Sequence, residues 1–248
     1  MGKENGFKGS YGLDAPNVVR NLIVIGALLI AAAAVVGTLL AGVWFAVLAA
    51  WLGLIGVVCG AEAVWMIWSS KKGKMAVVRR LVAALPLRPD DRALDVGCGR
   101  GLVLHAVAKR LPKGEAVGID IWNSHDQSGN SPEATLRNAA LEGVANRVRV
   151  VNADMRRLPF ADSSFAAVTS SLAIHNLAGR EDRRQAVAEI ARVLQPGGTV
   201  ALLDFRNTKE YAEDLSRAGL RDVRLSGLRL AMFPPVRIVT ARKPANGG

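Results

Sequence analysis

The sequence predicts an α/β fold: a doubly wound, largely parallel sheet finished by a C-terminal antiparallel hairpin and preceded by two transmembrane helices. Three features carry that expectation. From Asn21 to Ala61 no Asp, Glu, Lys or Arg occurs. Beyond Lys74, short apolar strand patterns alternate with helical ones. The first of those strands runs into LDVGCGRG, Leu94–Gly101, which ends with glycine at every second position.

A single spanning helix takes roughly 20 apolar residues, so the uncharged run is about two spans long. Small residues around Leu40–Val43 divide it into helices of about Val18–Leu40 and Val43–Trp68, a hairpin. Trp65 and Trp68 stand next to Lys71, Lys72 and Lys74, as an interfacial aromatic belt followed by a basic anchor would. The basic cluster Lys71–Arg80 therefore marks the cytoplasmic flank, and a hairpin returns the N-terminus to that side. A cleaved signal peptide would be one shorter apolar stretch with a cleavage site. The expected organisation is a cytoplasmic N-terminal segment (1–17), a transmembrane hairpin (18–70), a cytoplasmic α/β domain (71–243) and a disordered tail (244–248). Glu62 has two open places, among the headgroups or facing the hairpin interior. Gly53 and Gly56 permit close helix approach. The formal net charge of +11 suits an anionic leaflet and nucleic acid alike, and with no recognisable nucleic-acid motif charge does not choose. Cys59 and Cys98 fall in the apolar span and in the glycine turn, a placement against pairing and in keeping with a reducing compartment.

After Lys74 the elements follow in order. Met75–Ala84 is a basic amphipathic helix stopped by Pro86 and Pro89. Strands are expected at Arg92–Val96, Ala116–Ile121, Val148–Asn152, Ala166–Ser171 and Thr199–Asp204, with helices at Leu102–Arg110, Thr135–Glu142 and Arg183–Leu194 between them. Such alternation implies parallel pairing through right-handed crossovers. The end differs: a helix at Tyr211–Gly219, then strands at Arg221–Leu230 and Val236–Arg242 joined across Pro234-Pro235.

The glycine turn bears the chemistry. Its spacing, Gly97-x-Gly99-x-Gly101, is neither the dinucleotide fingerprint nor the phosphate loop. Missing Cβ atoms let backbone approach a ligand closely, and Asp95 just ahead would repel a pyrophosphate but suit a cation. Ligands of open parallel sheets bind beyond the carboxyl ends of the strands, where Asp120 stands at the end of the second.

With these residues the chain resembles the class I S-adenosylmethionine-dependent methyltransferases, of the small-molecule type related to quinone and lipid methyltransferases. LDVGCGRG matches the first motif, VGID ending at Asp120 the second, NADMRRLPFADSSFAAV the third and fourth region, and ARVLQPGG the approach to the fifth strand. The resemblance implies a Rossmann-like sheet and S-adenosyl-L-methionine as cofactor, with no metal required. It implies that Gly97, Gly99 and Gly101 lie against the methionine part and that Asp95 complements its ammonium. Asp120 would take the ribose, Ile121 and Trp122 would flank the adenine, Asp154 and Met155 would meet its polar edge, and Ser170 belongs to the same set. Two departures stand out. SSLAIHNL replaces the Asn/Asp-Pro-Pro-aromatic signature of amino-methylating nucleic-acid enzymes, which disfavours nucleic acid as acceptor. The connection after Asp120 is long and polar, either a lid carrying His125, Asp126 and Asn130 or a solvated loop.

His175, just past the fourth strand, stands where an acceptor would meet the methyl and is the residue type suited to a general base, and Asn176 could orient an acceptor; helix-start capping or packing on the cofactor is the other reading of His175. His105 reads as structural. A membrane anchor serves an acceptor that is itself in the membrane, since anchoring raises effective concentration. The expected function is thus a membrane-anchored methyltransferase acting on a lipid-soluble or small-molecule acceptor, such as a quinone-like ring, an isoprenoid or a phospholipid headgroup. Two alternatives stay open: a membrane-tethered protein or RNA methyltransferase, and a non-catalytic cofactor-binding membrane protein. LRLAMFPP either dips into lipid or covers the sheet edge, and YGLDAPNVVR is expected to fold back over the cofactor.

Overall fold

The computed structural model describes residues 6–123 and 129–245. His125 and Asp126 lie outside the described residues, as does most of the expected tail.

Helices α1 (Pro16–Leu39) and α2 (Val43–Trp68) form the expected hairpin, turning at Gly42 with φ 123°. At 1.5 Å per residue they are about 36 and 39 Å long, and both are long and apolar enough to cross a bilayer. They approach most closely at Gly26 and Gly56, where a Cβ on Gly56 would lie 2.8 Å from the Gly26 carbonyl oxygen. Gly56 thus serves contact within the hairpin. Apolar side chains such as Val24, Leu28, Trp51 and Val57 remain exposed along it.

No loop follows α2. A π turn, Ser69–Gly73, runs directly into α3 (Lys74–Ala83), whereas the sequence suggested a separate amphipathic helix. The extra residue in such a turn swings its neighbours inward: Ser69 and Ser70 are buried, and a Cβ on Gly73 would run into the Ala231 carbonyl oxygen.

The sheet contains β1 (Arg92–Val96), β2 (Glu115–Asp120), β3 (Val148–Asn152), β4 (Phe165–Ser171), β5 (Leu194–Asp204), β6 (Arg221–Leu225) and β7 (Arg237–Arg242), in the order β3-β2-β1-β4-β5-β7-β6. The first five are parallel; β7 lies antiparallel between β5 and β6. Crossover helices α4 (Leu102–Ala108), α5 (Pro132–Leu141), α6 (Arg180–Val193) and α7 (Thr208–Arg217) complete the chain. Two apolar clusters fill the core, one around Leu81, Leu104 and Ala116, the other around Phe165, Ile190 and Leu202. Chain order reverses between β1 and β4, so their carboxyl ends open a crevice.

Helices α5, α6 and α7 each begin three residues before the expected start, and two strand boundaries differ by more. β5 begins at Leu194, five residues early, because Leu194 pairs with Phe165 across a bulge. β6 stops at Leu225; beyond it Gly227, Pro234 and Pro235 break the ladder, leaving one bridge between Arg229 and Val236. That freed segment packs on the foot of the hairpin. Ser69 Oγ accepts from the Phe233 N–H at 2.8 Å, and the Trp65 and Phe233 rings lie 4.9 Å apart.

Candidate active site

β1 delivers Asp95 and the glycine turn to the crevice. Gly97 and Gly101 hold φ of 71° and 85°, and a Cβ there would collide with Ala173 and the His105 ring respectively. Asp95 is 3% exposed and accepts from Thr169 Oγ1 at 2.8 Å, its register partner on β4. Burial pushes its carboxyl up to about 7, against the hydrogen bond from Thr169. The same burial raises the Cys98 thiol, which makes it unreactive.

Asp120, ending β2, accepts from the Gly99 N–H at 2.8 Å and from the Trp122 N–H at 2.7 Å, one on each oxygen. A carboxylate has about four acceptor positions, so Asp120 braces the turn and still has capacity for a diol. Past β3, Asp154 is gripped by Arg156 at 2.6 Å, and that guanidinium holds its carboxyl below the usual range.

A cavity of about 530 Å³ gathers Asp95, Gly97, Gly99, Asp120, Ile121, Asp154 and Met155 on one wall. A ligand with a cationic amino-acid end, a diol and an amino-bearing aromatic ring fits that set of acceptors and open backbone. Three of the expected residues stand apart. Gly101 caps α4, Ser170 is buried with its hydroxyl on Val96 O at 2.8 Å, and Trp122 packs into the core. The pleat explains Ser170: Ser171, one residue on, faces the cavity instead.

The same cavity is lined by His175 and Asn176, on a short 3₁₀ turn, Ile174–Asn176, after β4. His175 Nδ1 is 2.9 Å from Asp204 Oδ1 at the end of β5. The two atoms are in close contact, but the geometry at Nδ1 is not that of an aligned hydrogen bond. Asp204, 2% exposed, is itself held by the Phe205 N–H at 2.8 Å and the Tyr211 hydroxyl at 3.2 Å. Phe205 packs edge-on against the imidazole, centroids 4.5 Å apart.

The N-terminal segment crosses the outside of the glycine turn as a strap. Glu142 accepts from the N–H groups of Lys8 and Gly9, each at 2.7 Å, and from Tyr11 Oη at 2.8 Å. Lys109 pairs with its other oxygen at 2.6 Å. Burial works against the Glu142 carboxylate, but these donors win and lower its pKa. Tyr11 also touches His105 Nδ1 at 3.1 Å, and burial lowers that imidazole to about 4, keeping it neutral and structural. Buried Lys74 donates to Tyr11 O, Gly12 O and Asp14 at 2.9, 3.0 and 3.1 Å, which fixes the strap to α3.

Sequence reasoning missed Asp204, Glu142 and Lys74. An acid ending an apolar strand at the carboxyl edge was a usable signal for Asp204. For Glu142 and Lys74 the partners lie far along the chain, and no local pattern marks them.

A family of methyltransferase domains matches residues 94–202. The ubiquinone/menaquinone biosynthesis C-methyltransferase UbiE of Geotalea daltonii is 35% identical over 128 residues, 51% of this chain and 51% of that protein. The chain spans about half the length of the curated relatives it matches. Among solved structures, the [4+2]-cyclase SpnF superposes with a TM-score of 0.60 at 20% identity, over 71% of this chain and 83% of its own. A SAM-dependent methyltransferase from Aquifex aeolicus gives 0.52 at 20% identity, over 69% and 89%. Residues 94–202 thus match a methyltransferase domain, set in a sheet whose strand order, glycine turn and acids are those of the class I S-adenosylmethionine-dependent fold.

Proposed function

We propose that this chain is a membrane-anchored methyltransferase acting on a lipid-soluble, quinone-type acceptor. The hairpin 18–70 is its two-span anchor, and the domain 71–243 lies on the cytoplasmic side. The observation that carries the reading is that His175, backed by Asp204, shares one cavity with the cofactor-binding wall. The quinone class comes from the names of the curated relatives, and the exposed apolar hairpin supports a membrane-resident acceptor.

Asp95 and the glycine turn would hold the methionine end of S-adenosylmethionine, Asp120 the ribose, and Asp154 with Ile121 and Met155 the adenine. When bound, the cofactor supplies a methyl group on a cationic sulfur that departs as a neutral thioether. The chain's own task is to align the acceptor and take its proton. Nε2 of His175 takes that proton, because Nδ1 faces Asp204. Asp204 then stabilises the imidazolium, and Tyr211 and the Phe205 N–H keep Asp204 in place. Asn176, at the same wall, orients the acceptor's oxygen.

Fold alone does not dictate transfer, since the same architecture serves a cyclase. The test is therefore incubation of the detergent-solubilised chain with methyl-labelled cofactor and host membranes, followed by counting label in lipid, protein and RNA. Label is expected in the quinone fraction, reduced about 100-fold or more by His175→Ala and also lowered by Asp204→Asn, with cofactor affinity unchanged in both. Label in protein or RNA, or cofactor binding without any label, would overturn the reading.

A further inference from the structure

The geometry points to a lateral portal at the foot of the hairpin, through which the acceptor's hydrocarbon tail stays in the bilayer while its ring reaches His175. The inference rests on the methyltransferase reading and adds which part of the acceptor the protein grips first.

The cavity lining is mixed in character. Beside His175 stand Asn176 and Phe205; the same lining takes in Met232, Phe233 and Val236 from the segment between β6 and β7, and a last stretch, Val18 and Met66, from the hairpin. The side chains of that last stretch offer no strong donor or acceptor, so a polar headgroup or a peptide would lose hydrogen bonds there. A linear or methyl-branched hydrocarbon loses none, and the unbranched methionines adapt to an irregular chain. Lys74 and Asp14 also border the cavity, but Lys74 directs its three donors to Tyr11 O, Gly12 O and Asp14, and Asp14 accepts from Lys74 and from Ser70 Oγ, so both are already engaged in the joint between strap and hairpin.

The position of the mouth matters as much as its chemistry. Val18 lines the cavity and is still 49% exposed, as a rim residue must be. It lies in the first turn of α1 and Met66 in the last turn of α2, the end of the hairpin where the apolar spans begin. Exposed Trp65 and Trp68 on α2, with exposed Leu228 and Leu230 on the segment after β6, surround that level with apolar surface. At about 530 Å³ the cavity has the volume of an ordinary ligand pocket. For an acceptor whose ring lies beside His175, the apolar end is the exit for a long tail that costs no hydrogen bonds.

The test uses the full chain in phospholipid vesicles with two acceptors, the same quinol ring with and without a long prenyl tail. Val18→Trp narrows the mouth at an exposed position the fold tolerates; Val24→Trp, equally exposed on the same helix, is the control. Val18→Trp is expected to raise KM for the tailed quinol about tenfold or more while leaving the tailless one within twofold, and Val24→Trp to change neither. A second, non-catalytic readout is photolabelling with a prenyl quinone carrying a diazirine on its tail. Label on 13–22, 62–68 and 228–234 supports the portal even if no methyl is transferred, in which case the methyltransferase reading alone fails. Methylation with equal effects on both quinols, or label confined to 23–60, overturns the portal and leaves that reading standing.

Discussion

Asp95 is an acid that the fold keeps away from water, and its use depends on that. Free, its carboxyl titrates near 7; only the ionised form pairs with an ammonium group. Cofactor affinity is therefore expected to fall as pH drops from 7 to 5, approaching tenfold per unit, measured by calorimetry on the full chain. Asp95→Asn should bind more weakly and flatten the profile. Folding stability has the opposite sign. The folded state disfavours ionisation, so the contribution is greatest below the unfolded pKa near 4 and is lost as pH rises toward 7. A pH-independent cofactor affinity in the native chain would remove Asp95 from the ammonium. Asp95, Asp120 and Asp154 stand out in the sequence because each lies at or just past the carboxyl end of a strand at a fixed place in its motif. It did not reveal that Ser170 points into the core, since a one-residue register decides which face a strand side chain takes.

At the scale of elements, the strap over the glycine turn is held by one carboxylate. Glu142→Gln removes the ion pair to Lys109 and leaves the Lys8 and Gly9 N–H groups and the Tyr11 hydroxyl, which share one oxygen, on a neutral amide instead of a carboxylate. Losing one charge-assisted bond costs about 2 kcal/mol, and the expected outcome is faster amide exchange at Lys8, Gly9 and Ser10 with little change in the sheet. Acid should do the same: with the Glu142 pKa lowered by folding, the strap is secure above the unfolded value near 4.5 and loosens as pH falls below it. Pepsin cleavage around Phe7 and Tyr11 at low pH would report that release, and unchanged protection would refute it. The element order was readable because apolar period and glycine placement are local. The strap was not, because Lys8 and Glu142 are separated by more than a hundred residues and their pairing exists only in the folded chain. The break of β6 at Leu225 was missed for a related reason: Leu228 and Leu230 continue the strand pattern but stay exposed outside the ladder, while Phe233 beyond them packs on the hairpin.

For the whole molecule, the joint between hairpin and domain is the part the sequence hid most completely. Lys71 and Lys72 look like an ordinary basic flank after a span, yet the helix continues through them. Ser69 holds the Phe233 backbone, Ser70 holds Asp14, and Lys74 holds the strap, all within six residues of one winding backbone. There is no slack in such a joint. Whatever tilts α2 therefore tilts the domain, and on the anchored reading the quantity that tilts α2 is the thickness of the bilayer, because a span longer than the hydrocarbon layer leans to fit it. Turnover in vesicles of graded acyl-chain length is expected to peak at one thickness and fall on either side for the tailed quinol, while the tailless quinol shows no peak. A flat response for both would mean the joint does not transmit tilt. If it does, the same domain working in two membranes of different lipid composition would be two enzymes of different speed, graded by the bilayer with no effector bound.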